Sequence, residues 1–152
     1  MKTIIFICHG NICRSVAAEC IANKLLHDKG INNIRVFSRA VSREEIGNDI
    51  YPPMKKELLR QGIPLKKHSA EQISNRDYTE ADYIFYMDES NKRRLIYLID
   101  DYKNIIKPIT LYNKDIPYIE DPWYTDRFDY VVEQLKICVK NIIESIYETE
   151  SN

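Results

Sequence analysis

Little in this 152-residue chain is in excess. Lysine and arginine together number 22 against 23 aspartates and glutamates, a formal net charge of −1. That balance removes any general electrostatic reason to bind nucleic acid or an acidic membrane. No apolar stretch approaches the roughly 20 residues that span a bilayer. The run Thr3-Ile4-Ile5-Phe6-Ile7 is too short for a secretory signal, so the expected setting is cytoplasmic. Repeats and low-complexity segments are missing as well. The four cysteines, Cys8, Cys13, Cys20 and Cys138, contain no Cys-x2-Cys pair, and His9, His27 and His68 are scattered. This spacing argues against zinc, and no metal or other cofactor is expected. The length fits one domain over residues 1–152, enough to bury about two-thirds of the unfolded surface.

Hydrophobic periodicity divides the chain into alternating strands and helices. The apolar run at Thr3–Ile7 reads as a buried strand. Helical spacing follows, with Ala18, Ile21, Ala22, Leu25 and Leu26 on one face and a stop at Gly30. Ile34 to Ser38 reads as a second strand. Pro52-Pro53 opens a helix that ends near Gly62. Tyr83 to Met87 is apolar throughout, as a strand covered on both faces is. Asp88 to Asn91 suits a helix start, with Leu95, Ile96, Leu98 and Ile99 continuing it. A fourth strand, Ile105 to Leu111, is interrupted by Pro108 and belongs at an edge. From Phe128 to Ile146 apolar residues recur every three to four positions. The alternation predicts an α/β fold with three layers (α/β/α) around a central, mostly parallel four-stranded sheet. Cys20 and Cys138 fall on the first and last helices and read as small buried apolar residues.

Chemistry concentrates in Cys8-His9-Gly10-Asn11-Ile12-Cys13-Arg14-Ser15, at the exit of the first strand. Carboxyl ends of parallel strands are where open α/β sheets bind ligands. A turn there converges backbone N–H groups on one point, and a helix opening near Arg14 aims its positive end at the same place. Such a field favours Cys8 as thiolate. Arg14 adds a planar fork for two phosphate oxygens, so phosphate-like oxyanions are expected to bind and inhibit. Gly10 and Asn11 tolerate the left-handed conformations that inward-pointing amides require. Ser15, in the first helical turn after Arg14, is expected to place its hydroxyl within reach of the thiolate. Cys13 shares the loop, so an oxidised Cys8 has a nearby thiol for a reversible disulfide. A bare Cys-x5-Arg pattern also occurs by chance, as a buried cysteine beside a surface arginine.

Phosphoryl transfer from a phenolic ester needs an acid, because the leaving phenolate has a pKa of about 10. The best candidate lies in Ile119-Glu120-Asp121-Pro122-Trp123-Tyr124. Pro122 biases Asp121 toward extended backbone, and Trp123 and Tyr124 offer flat surface for an aromatic ring. On their own these residues also read as an ordinary Asp-Pro turn, and Glu120 is a competing carboxylate.

The octapeptide closely resembles the Cys-x-Gly-Asn-x-Cys-Arg-Ser signature of the low-molecular-weight protein tyrosine phosphatases. The similarity continues through Ser38–Ser42, Ile46-Gly47-Asn48, His68–Gln72, Met87–Asn91 and the Asp-Pro-aromatic-Tyr segment at Asp121. It implies Cys8 as nucleophile, Arg14 as phosphate clamp, Asp121 as acid, and a network of Ser15, Asn11, Ser42 and His68 supporting the loop. Departures are His9 for an apolar residue, Val16 for proline, Glu71 for arginine and Glu44 for an aromatic wall residue. The activity implied is hydrolysis of phosphotyrosine in proteins or peptides, and of small aryl phosphates, through a phosphocysteine intermediate. A protein-arginine phosphatase of the same fold is the nearest rival. In the family a threonine at the position of Ile12 favours phosphoarginine, whereas isoleucine suits a phenyl ring. Arsenate reduction would need more relay cysteines. A non-catalytic phosphotyrosine-binding module is disfavoured by the joint presence of Cys8, Arg14 and Asp121.

Overall fold

The strand β1 (Lys2–Cys8) carries apolar side chains on both faces, and its neighbours divide them. The structure, a computed structural model, describes residues 1–151. Four parallel strands lie in the order β2-β1-β3-β4, with β2 at Ile34–Ala40, β3 at Tyr83–Tyr86 and β4 at Ile106–Pro108. Side chains alternate along a strand. Ile4 and Phe6 therefore join the core under α1 (Arg14–Asp28), α2 (Pro52–Arg60) and α6 (Phe128–Ser151). Ile5 and Ile7 face the opposite layer, with Tyr78 of α3 (Asn75–Glu80) and Leu95 of α4 (Glu89–Leu98). This is the expected three-layer α/β/α arrangement, with every strand pair parallel. Among the described residues no helix is long and apolar enough to cross a membrane.

Several boundaries differ from the sequence expectation. β2 runs two residues further, to Ala40, which pairs with Cys8 and bridges to Gln72. β4 shrinks to three residues at the sheet edge, where Pro108 needs no ladder donor. The helix α3 was not anticipated. It is a six-residue segment whose start is fixed by a reciprocal capping box between Ser74 and Asp77. On α4, Ile96 and Leu98 face solvent, and only Leu95 and Ile99 reach the core. A short helix, α5 (Pro122–Thr125), follows Asp121 and ends at Asp126 in the left-handed conformation.

Among the described residues the closing helix α6 supplies the largest buried apolar face. Val131, Val132, Leu135, Cys138, Val139, Ile142 and Ile143 are all fully buried. Ile142→Ala should therefore cost about 2–5 kcal/mol through lost transfer energy and a residual cavity. The half-exposed Ile96→Ala should stay within about 0.5 kcal/mol of the parent. Urea unfolding curves of the two variants check the contrast.

Candidate active site

The loop between β1 and α1 curls around the Cys8 sulfur. Cys8 Sγ lies 3.0 Å from Ser15 Oγ and accepts the Asn11 N–H at 3.3 Å. Cys13 occupies the N-cap position of α1 but makes no capping bond, and the first turn holds no acidic residue. The helix terminus is thus left for an anion from outside. Only Asn11, at φ 63°, adopts a left-handed backbone in the loop. Gly10 does not, contrary to expectation. Its hydrogen instead leaves room for Glu45, whose Cγ would stand 3.1 Å from an added Cβ.

Asn11 is completely buried, and nearly every polar atom it has is used. Its amide nitrogen donates to Ser15 Oγ and to Ser38 Oγ, both at 2.9 Å. Its side-chain oxygen accepts from the Glu71 N–H at 3.1 Å, and its carbonyl oxygen meets His68 Nε2 at 2.6 Å. Ser38 Oγ in turn donates to the buried Glu19 at 2.6 Å, and Glu19 pairs with Lys66. The expected network is present through Ser15, Asn11 and His68, with one change of partner. Ser42 contributes its backbone N–H to the His9 carbonyl at 3.0 Å, while its hydroxyl makes only a 3.4 Å contact with the Glu44 N–H. The hydroxyl on Asn11 belongs to Ser38. Glu19 had a signal in the sequence, standing one helical turn beyond Ser15 on the same face of α1.

Arg14 is buried and directed by two acceptors. Its Nη1 donates to Asp88 Oδ2 at 2.7 Å and to the Ile119 carbonyl at 2.8 Å. Its Nη2 lies 3.6 Å from Asp121 Oδ2. Burial opposes the guanidinium charge, but Cys8, Asp121 and Asp88 outweigh it and hold the pKa above its ordinary value. From sequence Asp88 reads only as a helix start and as part of the Met87–Asn91 similarity, with no role at the site. Topology places it, because β1 and β3 are parallel neighbours and their carboxyl ends share one edge of the sheet.

The two candidate carboxylates separate cleanly. Asp121 caps α5, accepting the Trp123 N–H at 3.0 Å, and faces Arg14. Glu120 is turned to Arg127, whose hydrogen bonds push the Glu120 pKa down.

Cys8, Arg14 and Asp121 line one cleft of about 370 Å³. His9, Gly10, Ile12, Cys13, Trp123 and Tyr124 also border it, together with Glu44, Glu45 and Arg94. His9 Nε2 pairs with Glu44 Oε2 at 3.0 Å across the rim. The Trp123 ring leans on Tyr51, with centroids 4.7 Å apart. Tyr51 also donates its N–H to the Ile12 carbonyl at 2.9 Å, tying the loop to α2. The sequence held no signal for that double role. Burial, then the negative charge of Cys8 and Asp121, drives the Cys13 pKa far up. Cys20 and Cys138 lie elsewhere in the core, pushed up to about 11 by burial. Among the described residues no cluster of His, Cys, Asp or Glu could hold a metal ion.

Residues 3–152 match the family model described as low molecular weight phosphotyrosine protein phosphatase. The human protein of that name is 38% identical over 153 residues, covering 96% of each chain. The low molecular weight protein-tyrosine-phosphatase PtpA of Staphylococcus epidermidis is 31% identical, covering 96% of this chain and 94% of its own. Among solved structures, YfkJ from Bacillus subtilis superposes with a TM-score of 0.92 at 31% identity, covering 98% of this chain and 96% of that one.

The buried contacts of Ser38 give a test of the loop's support. Ser38→Ala would strip partners from both Asn11 and Glu19, and should cost about 1–3 kcal/mol. Ser42→Ala should cost under about 0.5 kcal/mol. Chemical denaturation distinguishes them, and inhibition by inorganic phosphate should weaken only in Ser38→Ala.

Proposed function

The chain belongs to the low molecular weight phosphotyrosine protein phosphatase family, and we propose that it hydrolyses phosphotyrosine in proteins and peptides with Cys8 as nucleophile, Arg14 as phosphate clamp and Asp121 as acid and base. The observation that carries the assignment is the cleft itself. The Cys8 thiol, the Arg14 guanidinium and the Asp121 carboxyl share it, while Glu44, Glu45 and Glu120 are engaged by His9, Asn48 and Arg127.

In the first step Cys8 Sγ attacks phosphorus opposite the phenolic oxygen. The S–P bond forms as the P–O ester bond breaks, and Asp121 gives its proton to the departing phenolate. Arg14 and the loop amides hold the equatorial oxygens where charge spreads in the transition state. Two acceptors already fix the Arg14 fork, so little reorganisation remains when phosphate arrives. In the second step Asp121 takes a proton from water, which attacks the phosphocysteine. Phosphate leaves and the sulfur departs as thiolate, steadied by the Ser15 hydroxyl and the Asn11 N–H. Ile12, Trp123 and Tyr124 supply apolar walls for the substrate ring, which supports phosphotyrosine over phosphoarginine. Small aryl phosphates fit the same cleft, and phosphate-like oxyanions compete for the loop. One domain over the whole chain carries the activity. A nucleophilic thiol needs a reducing compartment, which supports a cytoplasmic setting.

Cys8→Ser should abolish turnover of p-nitrophenyl phosphate, whereas Cys20→Ser and Cys138→Ser should retain it. Asp121→Asn should slow turnover by at least about 10²-fold, with a deficit that grows as the leaving group becomes more basic. Glu120→Gln should leave the rate within a few-fold, and a greater loss there than at Asp121 would reassign the acid. Peroxide should inactivate the enzyme through Cys8, with Cys13 capturing the sulfenic acid as a disulfide. Recovery with dithiothreitol should accordingly be fuller in the parent than in Cys13→Ser.

A further inference from the structure

A second groove of about 770 Å³ adjoins the catalytic cleft, and Glu44 and Arg94 line both. Its sides carry Arg43, Arg93 and Arg94, and its apolar surface is Val41, Tyr97 and Leu98. The arginines are conspicuous for what they do not touch. Arg14, Arg35, Arg39, Arg60, Arg76 and Arg127 each donate to an oxygen of another side chain. Among the described residues, the three in the chain that have no such partner are the three gathered here. The one carboxylate in the groove, Glu44, is engaged by His9. Tyr97, 89% exposed, offers an aromatic ring on the groove's border. A protein of net charge −1 thus concentrates unpaired positive charge at one lip of its active cleft.

We propose that this groove is a docking site for an acidic polypeptide segment flanking the phosphotyrosine of a protein substrate. The proposal rests on the phosphotyrosine reading above and extends it to substrate choice. Guanidinium groups on a partly apolar surface bind carboxylates in a geometry that lysine would not match. Continuity with the cleft through Arg94 and Glu44 lets one extended chain occupy both places. Tyr97 and Leu98 would cover the apolar parts of that chain. Because the pairs are exposed, the gain is modest and sensitive to salt.

The test compares phosphotyrosine peptides bearing glutamate, glutamine or lysine flanks, on the parent and on Arg43→Glu/Arg93→Glu. Neither residue borders the catalytic cleft. In the parent, glutamate flanks should raise kcat/KM about tenfold over glutamine flanks at low salt, as two or three exposed ion pairs would. The preference should shrink above about 0.3 M salt. In the double variant it should vanish or invert, while turnover of p-nitrophenyl phosphate, which has no flanks, stays at the parental level. Fluorescence anisotropy of the unphosphorylated glutamate-flanked peptide reads the groove without turnover. Peptide binding lost in the double variant, with no hydrolysis of any aryl phosphate by the parent, would overturn the phosphotyrosine reading and leave the acidic docking site standing. Equal use and equal binding of all three peptides by the parent would overturn the docking site alone. So would charge-dependent binding to phosphatidylserine vesicles without any peptide preference, which would assign the patch to a membrane surface.

Discussion

One buried asparagine in a left-handed conformation sets the shape of the Cys8–Ser15 loop. A non-glycine residue at positive φ costs free energy, and such a conformation persists only where its surroundings over-determine it. Around Asn11 they do. Its amide reaches α1 through Ser15 and β2 through Ser38, while His68 and the Glu71 backbone close on it from the segment after α2. The same residue's N–H points at the Cys8 sulfur. Loop geometry and the surroundings of the Cys8 sulfur are therefore consequences of one residue's hydrogen bonds. Those bonds are strong because Asn11 is buried, and for the same reason losing one leaves a costly unpaired group.

A second constraint couples Arg14 to Asp121. Burying a guanidinium is expensive unless it is paired and hydrogen-bonded. Arg14 meets this need with Asp88 at the end of β3 and with the carbonyl of Ile119, two residues before Asp121. Ile119 is itself tied to the residue that follows β3, its N–H donating to the Met87 carbonyl at 3.0 Å. Arg14 thereby also anchors the segment that carries Asp121. Arg14 and Asp121 share a single frame.

The sequence made the frame legible where the controlling interactions are local or periodic. The Cys8–Ser15 loop, the long apolar stripe from Phe128 and the carboxyl beside Pro122 were all readable. What escaped it depended on pairing through space. Ser38 and Ser42 have the same strand parity, but β2 ends at Ala40, so Ser42 turns away and Ser38 alone faces Asn11. Ile96 and Leu98 looked like core by composition. A helix rotates each successive residue by about 100°, and Leu95 with Ile99 takes the inward face. Tyr51 could not be found at all, since its ring serves Trp123 while its backbone serves the loop.

The aromatic lip has a consequence outside catalysis. Trp123 is the chain's one tryptophan, and it stands 53% exposed beside the cleft with its ring against Tyr51. All indole emission from this protein therefore originates within the site, with no background from the core. A bound ring or oxyanion would change the polarity and quenching around that fluorophore directly. The molecule thus carries its own optical probe of occupancy, readable by stopped flow on the unlabelled chain.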